Sequence, residues 1–193
     1  DNDGDLDIAV GNDMAPNYIF MNDGKGNFIK ATSFGKPYDH TRNIITADLD
    51  ADGDIDILIT NRGSENEICL NDGAGTFSKT IGFGNKEDST IDVEVADMDA
   101  DGDYDLVLAN RDDQSNYVYL NEGNLKFTKK IPYGTGKDIT RSVAIADIDK
   151  DGYLDIVTAN IGEPNVIYFG SKQQRYKRKV TFDSSNDKSY SIS

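Results

Sequence analysis

Three nine-residue segments of the chain set carboxylates at alternating positions around one glycine. They read Asp48-Leu49-Asp50-Ala51-Asp52-Gly53-Asp54-Ile55-Asp56, Asp97-Met98-Asp99-Ala100-Asp101-Gly102-Asp103-Tyr104-Asp105 and Asp147-Ile148-Asp149-Lys150-Asp151-Gly152-Tyr153-Leu154-Asp155. Their shared form is D-x-D-x-D-G-x-x-D. A loop that reverses at the glycine can point three carboxylates inward, and calcium takes about 6 to 8 oxygen ligands. The seventh position is expected to offer its backbone carbonyl, so that Tyr153 can stand where Asp54 and Asp103 stand. The ninth position (Asp56, Asp105, Asp155) is expected to supply a fourth, bidentate carboxylate, with water completing the shell. A further segment keeps Asp1, Asp3, Asp5 and Asp7 but lacks the first position, so its site is expected to be weak or empty. The expected cofactor is therefore Ca²⁺, at three complete sites and a truncated fourth.

Other metals fit the donor set less well. Zinc prefers Cys and His, and magnesium demands a tighter octahedron and keeps its waters. An EF-hand needs a bidentate Glu at its twelfth position and flanking helices. That position here is Ile59, Leu108 or Thr158, each inside an apolar run. Dockerin-type loops fail on the same ground, and Cys-rich thrombospondin-type arrays need cysteines this chain lacks. A single copy would pass for a solvated acidic turn. Three copies in phase, each with its ninth-position Asp, argue against that.

The composition agrees. A formal charge of −15, from 35 acidic and 20 basic residues, argues against a nucleic-acid-binding surface, which needs clustered Lys and Arg. Clustered carboxylates repel one another unless a cation neutralises them. No apolar run reaches the roughly 18 residues of a membrane-spanning helix, so membrane insertion is not expected. The lone Cys69 lies in an apolar stretch and reads as a small buried hydrophobe.

What must position these loops is a repeat. The Asp-Gly steps at Asp3, Asp52, Asp101 and Asp151 are spaced by 49, 49 and 50 residues. An aromatic pair six residues apart keeps the register (Phe28 and Phe34, Phe77 and Phe83, Phe127 and Tyr133, Tyr176 and Phe182), as do Asn17, Asn66, Asn116 and Asn165. Short β-branched and aromatic runs alternate with turn residues, and no long 3.6-residue period appears. In the second repeat the predicted strands are Ile44 to Ala47, Ile55 to Thr60, Glu67 to Leu70 and Phe77 to Phe83. Asn71-Asp72-Gly73 and Asn121-Glu122-Gly123 are hairpin signals. The predicted fold is all-β: a single array of β-propeller blades, four-stranded antiparallel sheets repeating every 49–50 residues. A truncated first blade spans 1–34, further blades span 35–84, 85–134 and 135–183, and 184–193 begin a next one. A β-solenoid is the alternative, although its repeats are shorter, roughly 20 to 30 residues. Because the chain opens inside a motif, it is expected to be a fragment of a longer propeller, completed by the remaining blades or by self-association.

The Asp loops, the apolar strands that follow them and end in Asn, and the Asn-Asp-Gly turn before Phe together resemble FG-GAP or VCBS-type repeats, best known from integrin α-chain propellers and found in many secreted bacterial proteins. The resemblance covers essentially all of residues 1–183. It implies calcium between the first and second strands, on the lower face, with partners often bound on the upper face. The loops at the opposite strand ends carry Met14, Tyr38, His40, Arg42, Arg62, Arg111, Asp112, Asp113, Arg141 and Tyr190. Of these, Tyr38, His40, Arg42, Arg62, Arg111 and Arg141 are the candidate ligand residues, a mixture suited to a glycan or peptide. Individually they also read as solvated loop tips.

Three functions follow as expectations. The first is a non-catalytic binding or adhesion module of an extracellular, cell-surface or periplasmic protein, stiffened by calcium, with a carbohydrate or extracellular protein as partner. The second is a fragment of a propeller-built polysaccharide lyase, for which His40 with Arg42 is the candidate pair; His40 has no partnered Ser or Cys and so forms no triad. The third is a purely structural spacer. The basic segment Lys172 to Lys179 reads as an exposed strand with snorkelling side chains.

Overall fold

The computed structural model describes residues 1–173, 175–183 and 188–193. Among them every regular element is a β-strand, and the strands form four antiparallel meanders. The first sheet holds β1 (Ile8–Val10), β2 (Asn17–Asn22) and β3 (Phe28–Phe34). The second holds β4 (Thr41–Ala47), β5 (Asp56–Asn61), β6 (Asn66–Leu70) and β7 (Lys79–Phe83). The third holds β8 (Thr90–Ala96), β9 (Asp105–Asn110), β10 (Gln114–Leu120) and β11 (Lys129–Asp138), and the fourth β12 (Thr140–Ala146), β13 (Asp155–Asn160), β14 (Val166–Tyr168) and β15 (Lys179–Thr181). The chain divides into two compact units, Asp1–Asp88 with the first two sheets and Ser89–Ser193 with the last two.

The sequence pattern explains the layering. β5, β9 and β13 are buried along their whole length, and accordingly read as unbroken apolar runs flanked by Asp and Asn, not as alternating ones. Outer strands such as β7 and β15 are mostly exposed. In the first unit Ile19, Phe34, Ile57, Ile59 and Cys69 form the core. Burial pushes the Cys69 thiol up to about 11, which suits an inert packing residue. In the second unit Met98, Val107, Val118, Leu120, Val143, Ile156 and three tyrosines fill the same role.

The expected strand ends shift in two informative ways. β4 begins at Thr41, three residues before the expected Ile44, because a bulge lets it pair with β5 as far as Asn61. β7 begins at Lys79, leaving Phe77 outside the ladder. Phe77 packs instead against Phe34 of the preceding sheet, with ring centroids 6.1 Å apart. In the second unit Tyr133 meets Tyr176 at 6.2 Å and Tyr168 at 5.5 Å, both edge-on. The paired aromatics of the repeat thus work between neighbouring sheets, the arrangement ring quadrupoles prefer. The basic segment starting at Lys172 becomes a strand only at Lys179, and Gln174 within it lies outside the described residues. Of the expected start of a next blade, residues 184–187 also lie outside them; Ser189 donates its N–H to the Asn160 carbonyl.

The repeated asparagines close the loop between second and third strands. Asn66 Oδ1 accepts the Asn61 N–H at 2.8 Å, while Asn61 Nδ2 donates to the Glu65 carbonyl at 2.9 Å. The pairs Asn12 with Asn17, Asn110 with Asn116 and Asn160 with Asn165 repeat this reciprocal staple. A buried threonine then ties sheet to sheet. Asn116 Nδ2 donates to Thr140 Oγ1 at 2.8 Å, and Thr140 Oγ1 donates to Asn160 Oδ1 at 3.0 Å; Asn17, Thr41 and Asn61 do the same in the first unit. Thr140→Val keeps the shape but orphans two buried polar groups, so it is expected to lower unfolding free energy by about 2–4 kcal/mol in urea titrations.

Candidate metal centres

Each Asp loop joins the first and second strands of its sheet, and a shared set of hydrogen bonds recurs in all three. The first-position carboxylate accepts two backbone N–H groups across the turn. Asp97 takes those of Asp101 and Gly102, both at 3.0 Å, and Asp48 and Asp147 do the same within 0.1 Å. The fifth-position carboxylate accepts the N–H of the seventh residue, at 2.9 Å for Asp52 with Asp54 and 3.0 Å for Asp101 with Asp103 and Asp151 with Tyr153. Gly53, Gly102 and Gly152 take φ of +98°, +101° and +90°, which allows the reversal. The fourth position is left-handed as well, at Ala51, Ala100 and Lys150, with φ of 60–61°. Nothing in the motif announced this, since alanine and lysine carry a steric cost there.

The ninth residue opens the buried second strand. Asp56, Asp105 and Asp155 are fully buried. Asp105 Oδ2 accepts the Met98 N–H and Oδ1 the Asn121 N–H, both at 2.8 Å. Asp56 spans Leu49 and Asn71, and Asp155 spans Ile148 and Gly170, in the same way. This residue, expected as a ligand, is thus also a brace between loop and hairpin.

Carboxylate oxygens converge within 4.8 Å in three groups among the described residues: Asp48, Asp50 and Asp56; Asp97, Asp99 and Asp101; Asp147, Asp149 and Asp155. Such crowding is electrostatically unfavourable without a cation. Burial, then repulsion from Asp52 and Asp48, raises the Asp50 carboxyl, and burial with repulsion from Asp101 and Asp97 raises Asp99. Burial lifts Asp56, and it pushes Asp105 up to about 6. Asp99 Oδ1 is buried and accepts no hydrogen bond. Positions one and three enter all three groups, position nine only the first and third, and position five only the second. An oxygen-only donor set with an orphaned buried oxygen fits a hard divalent cation.

The seventh-position side chains fall outside the three groups. Asp54 Oδ1 accepts from Asn2 Nδ2 at 2.7 Å, which leaves its backbone carbonyl as the group it offers the loop. In the first segment Asp3 accepts the Asp5 N–H, and Asp7 accepts the Asn22 N–H.

At the opposite strand ends, three residues of the first unit come together. Asp13 Oδ1 lies 2.6 Å from His40 Nδ1, and Arg42 donates to Asp13 Oδ2 at 3.4 Å. The His40 hydrogen bond holds the Asp13 carboxyl below its usual range. Arg62 reaches this cluster through its N–H, which bonds to the His40 carbonyl at 3.0 Å. Asp13 was missed because it carries no repeat signature. Tyr38 stands exposed with φ of 72°, two residues before His40. In the second unit Arg111 pairs with Asp112 at 2.8 Å, and the Arg141 guanidinium lies 5.5 Å from the Tyr190 ring centre. Arg42 and Arg141 are the extra residues of the bulges at the starts of β4 and β12, and bulges re-aim side chains.

Fold and loops together define a β-propeller-like repeat module, each repeat a small antiparallel sheet with an Asp-rich loop between its first two strands. The chain belongs to the FG-GAP-like repeat family, whose model matches residues 1–59, 48–108 and 97–158. Each match runs from one Asp segment through the next loop, so that neighbouring matches overlap on a complete loop. No curated protein matches the chain.

Proposed function

We propose that the chain is a calcium-stabilised module of an extracellular, cell-surface or periplasmic protein, a scaffold that binds a carbohydrate or protein ligand. The observation that carries the calcium reading is the threefold convergence of carboxylates, with a buried oxygen of Asp99 left without a partner. A bound Ca²⁺ would supply the missing positive charge and draw the first-, third- and fifth-position carboxylates into one shell. Sites of this kind fill where calcium is abundant, which supports a location outside the cytoplasm. The Asp13, His40 and Arg42 cluster of the first unit, with its bulged arginine, is the surface offered to a ligand, and a glycan array probed with and without calcium separates a binding module from a spacer.

Calorimetric titration of the metal-free chain is expected to show uptake of about three Ca²⁺, little affected by equimolar Mg²⁺. No binding heat at millimolar calcium would overturn the reading.

The Asp13, His40 and Arg42 cluster supports a second reading, a fragment of a propeller-built polysaccharide lyase. The imidazole is oriented by a carboxylate and lies beside a guanidinium, the combination β-elimination from a uronate requires. Release of unsaturated uronates, abolished in His40→Ala, would establish it.

A further inference from the structure

Every repeat places a base two residues after the first aromatic of its repeated pair: Lys30 after Phe28, Lys79 after Phe77, Lys129 after Phe127 and Arg178 after Tyr176. Lys79 and Lys129 act on Asp50 and Asp99 as nearby charges. Arg178 goes further, donating from Nη2 directly to Asp149 Oδ2, the third-position carboxylate of its loop. The same guanidinium lies 3.7 Å from the centre of the Phe169 ring, so its plane is held on two sides.

We propose that Arg178 makes the loop from Asp147 to Asp155 the weakest cation site of the three, by occupying the Asp149 carboxylate that the metal needs. The inference rests on the calcium reading above. Both oxygens of Asp149 are engaged, Oδ2 by Arg178 and Oδ1 by the Asp151 N–H at 3.3 Å, whereas Oδ1 of Asp99 accepts nothing. A metal entering the second loop therefore meets a free buried oxygen; one entering the third must displace a guanidinium. Charge points the same way. The loops from Asp48 and from Asp97 hold five Asp each beside one Lys, while the third holds four beside Lys150 and Arg178, with Tyr153 in place of the remaining Asp. The seventh-position side chain lies outside each carboxylate group, so its charge acts at a distance; the added bases and the engaged Asp149 lower the field and the freedom of the third site. The ion pair adds little to stability, since the Arg178 side chain is 62% exposed. Its effect falls on the metal.

The tyrosines allow a site-resolved test. The chain has no Trp, Tyr104 belongs to the second loop and Tyr153 to the third, and the first complete loop contains no Tyr. Terbium added to the calcium-free chain is excited through these rings, and Tyr104→Phe and Tyr153→Phe assign each component of the emission. The Tyr104 component is expected to saturate at lower terbium than the Tyr153 component. Arg178→Gln should tighten the third site by about five- to tenfold and leave the second unchanged, with Arg178→Lys in between. A third site that fills first in the wild type, or is indifferent to Arg178→Gln while the second loop binds, overturns this inference alone. Failure of both loops to take up terbium removes the calcium reading with it.

Discussion

Addition of EDTA to the calcium-loaded chain is expected to lower its melting temperature by roughly 15 to 30 °C. A ligand that binds only the folded state at about a hundred times its dissociation constant stabilises by about 2.7 kcal/mol. Three such sites sum to about 8 kcal/mol, and in a chain of this length each kcal/mol moves the midpoint by about 2–4 °C. The folded state is the selective binder because the carboxylates converge only there: Asp97, Asp99 and Asp101 are brought together by the N–H bonds of the turn. Removing the cation leaves the burial and the repulsion that together raise Asp50 and Asp99. The two compact units are expected to respond unequally. Ser89–Ser193 contains two complete loops and Asp1–Asp88 one, so EDTA should separate the melt into two steps, with the second unit losing more. Calorimetric scans with excess calcium, with EDTA, and with calcium restored would show this; superimposable scans would end the structural-calcium reading.

The loops were legible before the structure because their chemistry is local. Alternating Asp around a Gly is wired by bonds between residues two to five apart, and the same holds for the Asn71-Asp72-Gly73 turn, where Asn71 Oδ1 accepts from Gly73 and Gly75. The strands of the second repeat were legible for the same reason: β-branched runs between turn residues fix their own conformation. What escaped depends on neighbours distant in sequence. Phe77 looked like the start of a strand until Phe34 claimed it, and Thr41 looked like a loop residue until Asn17 and Asn61 were seen on either side. Arg178 looked like one more solvated base, because its partners Asp149 and Phe169 come from a loop and a strand that only the fold brings close. The left-handed Ala51 and Ala100 escaped for a different reason. Their conformation is imposed by the hydrogen-bonded aspartates on either side against the preference of the residue itself.

The ninth-position aspartate is where brace and ligand can be told apart. In the presence of calcium, Asp105→Ala is expected to cost about 3–5 kcal/mol of unfolding free energy. The substitution orphans the N–H groups of Met98 and Asn121, each worth about 1–3 kcal/mol when buried and unpaired, and it also removes a carboxylate from the loop. Asp105→Asn retains one acceptor and should cost about half as much. The cost should shrink when the same variants are measured in EDTA. Burial lifts the Asp105 carboxyl to about 6 from its ordinary 3.8. In the metal-free chain its ionisation near neutral pH therefore opposes folding, an opposition that is absent below about pH 4 and complete above about pH 6. Alanine relieves that burden while losing the brace, and the two effects offset. A pure brace with no part in the cation site predicts equal costs in calcium and in EDTA. A ligand as well as a brace predicts the larger cost in calcium, and paired urea titrations of the wild type, Asp105→Ala and Asp105→Asn under the two conditions separate these outcomes.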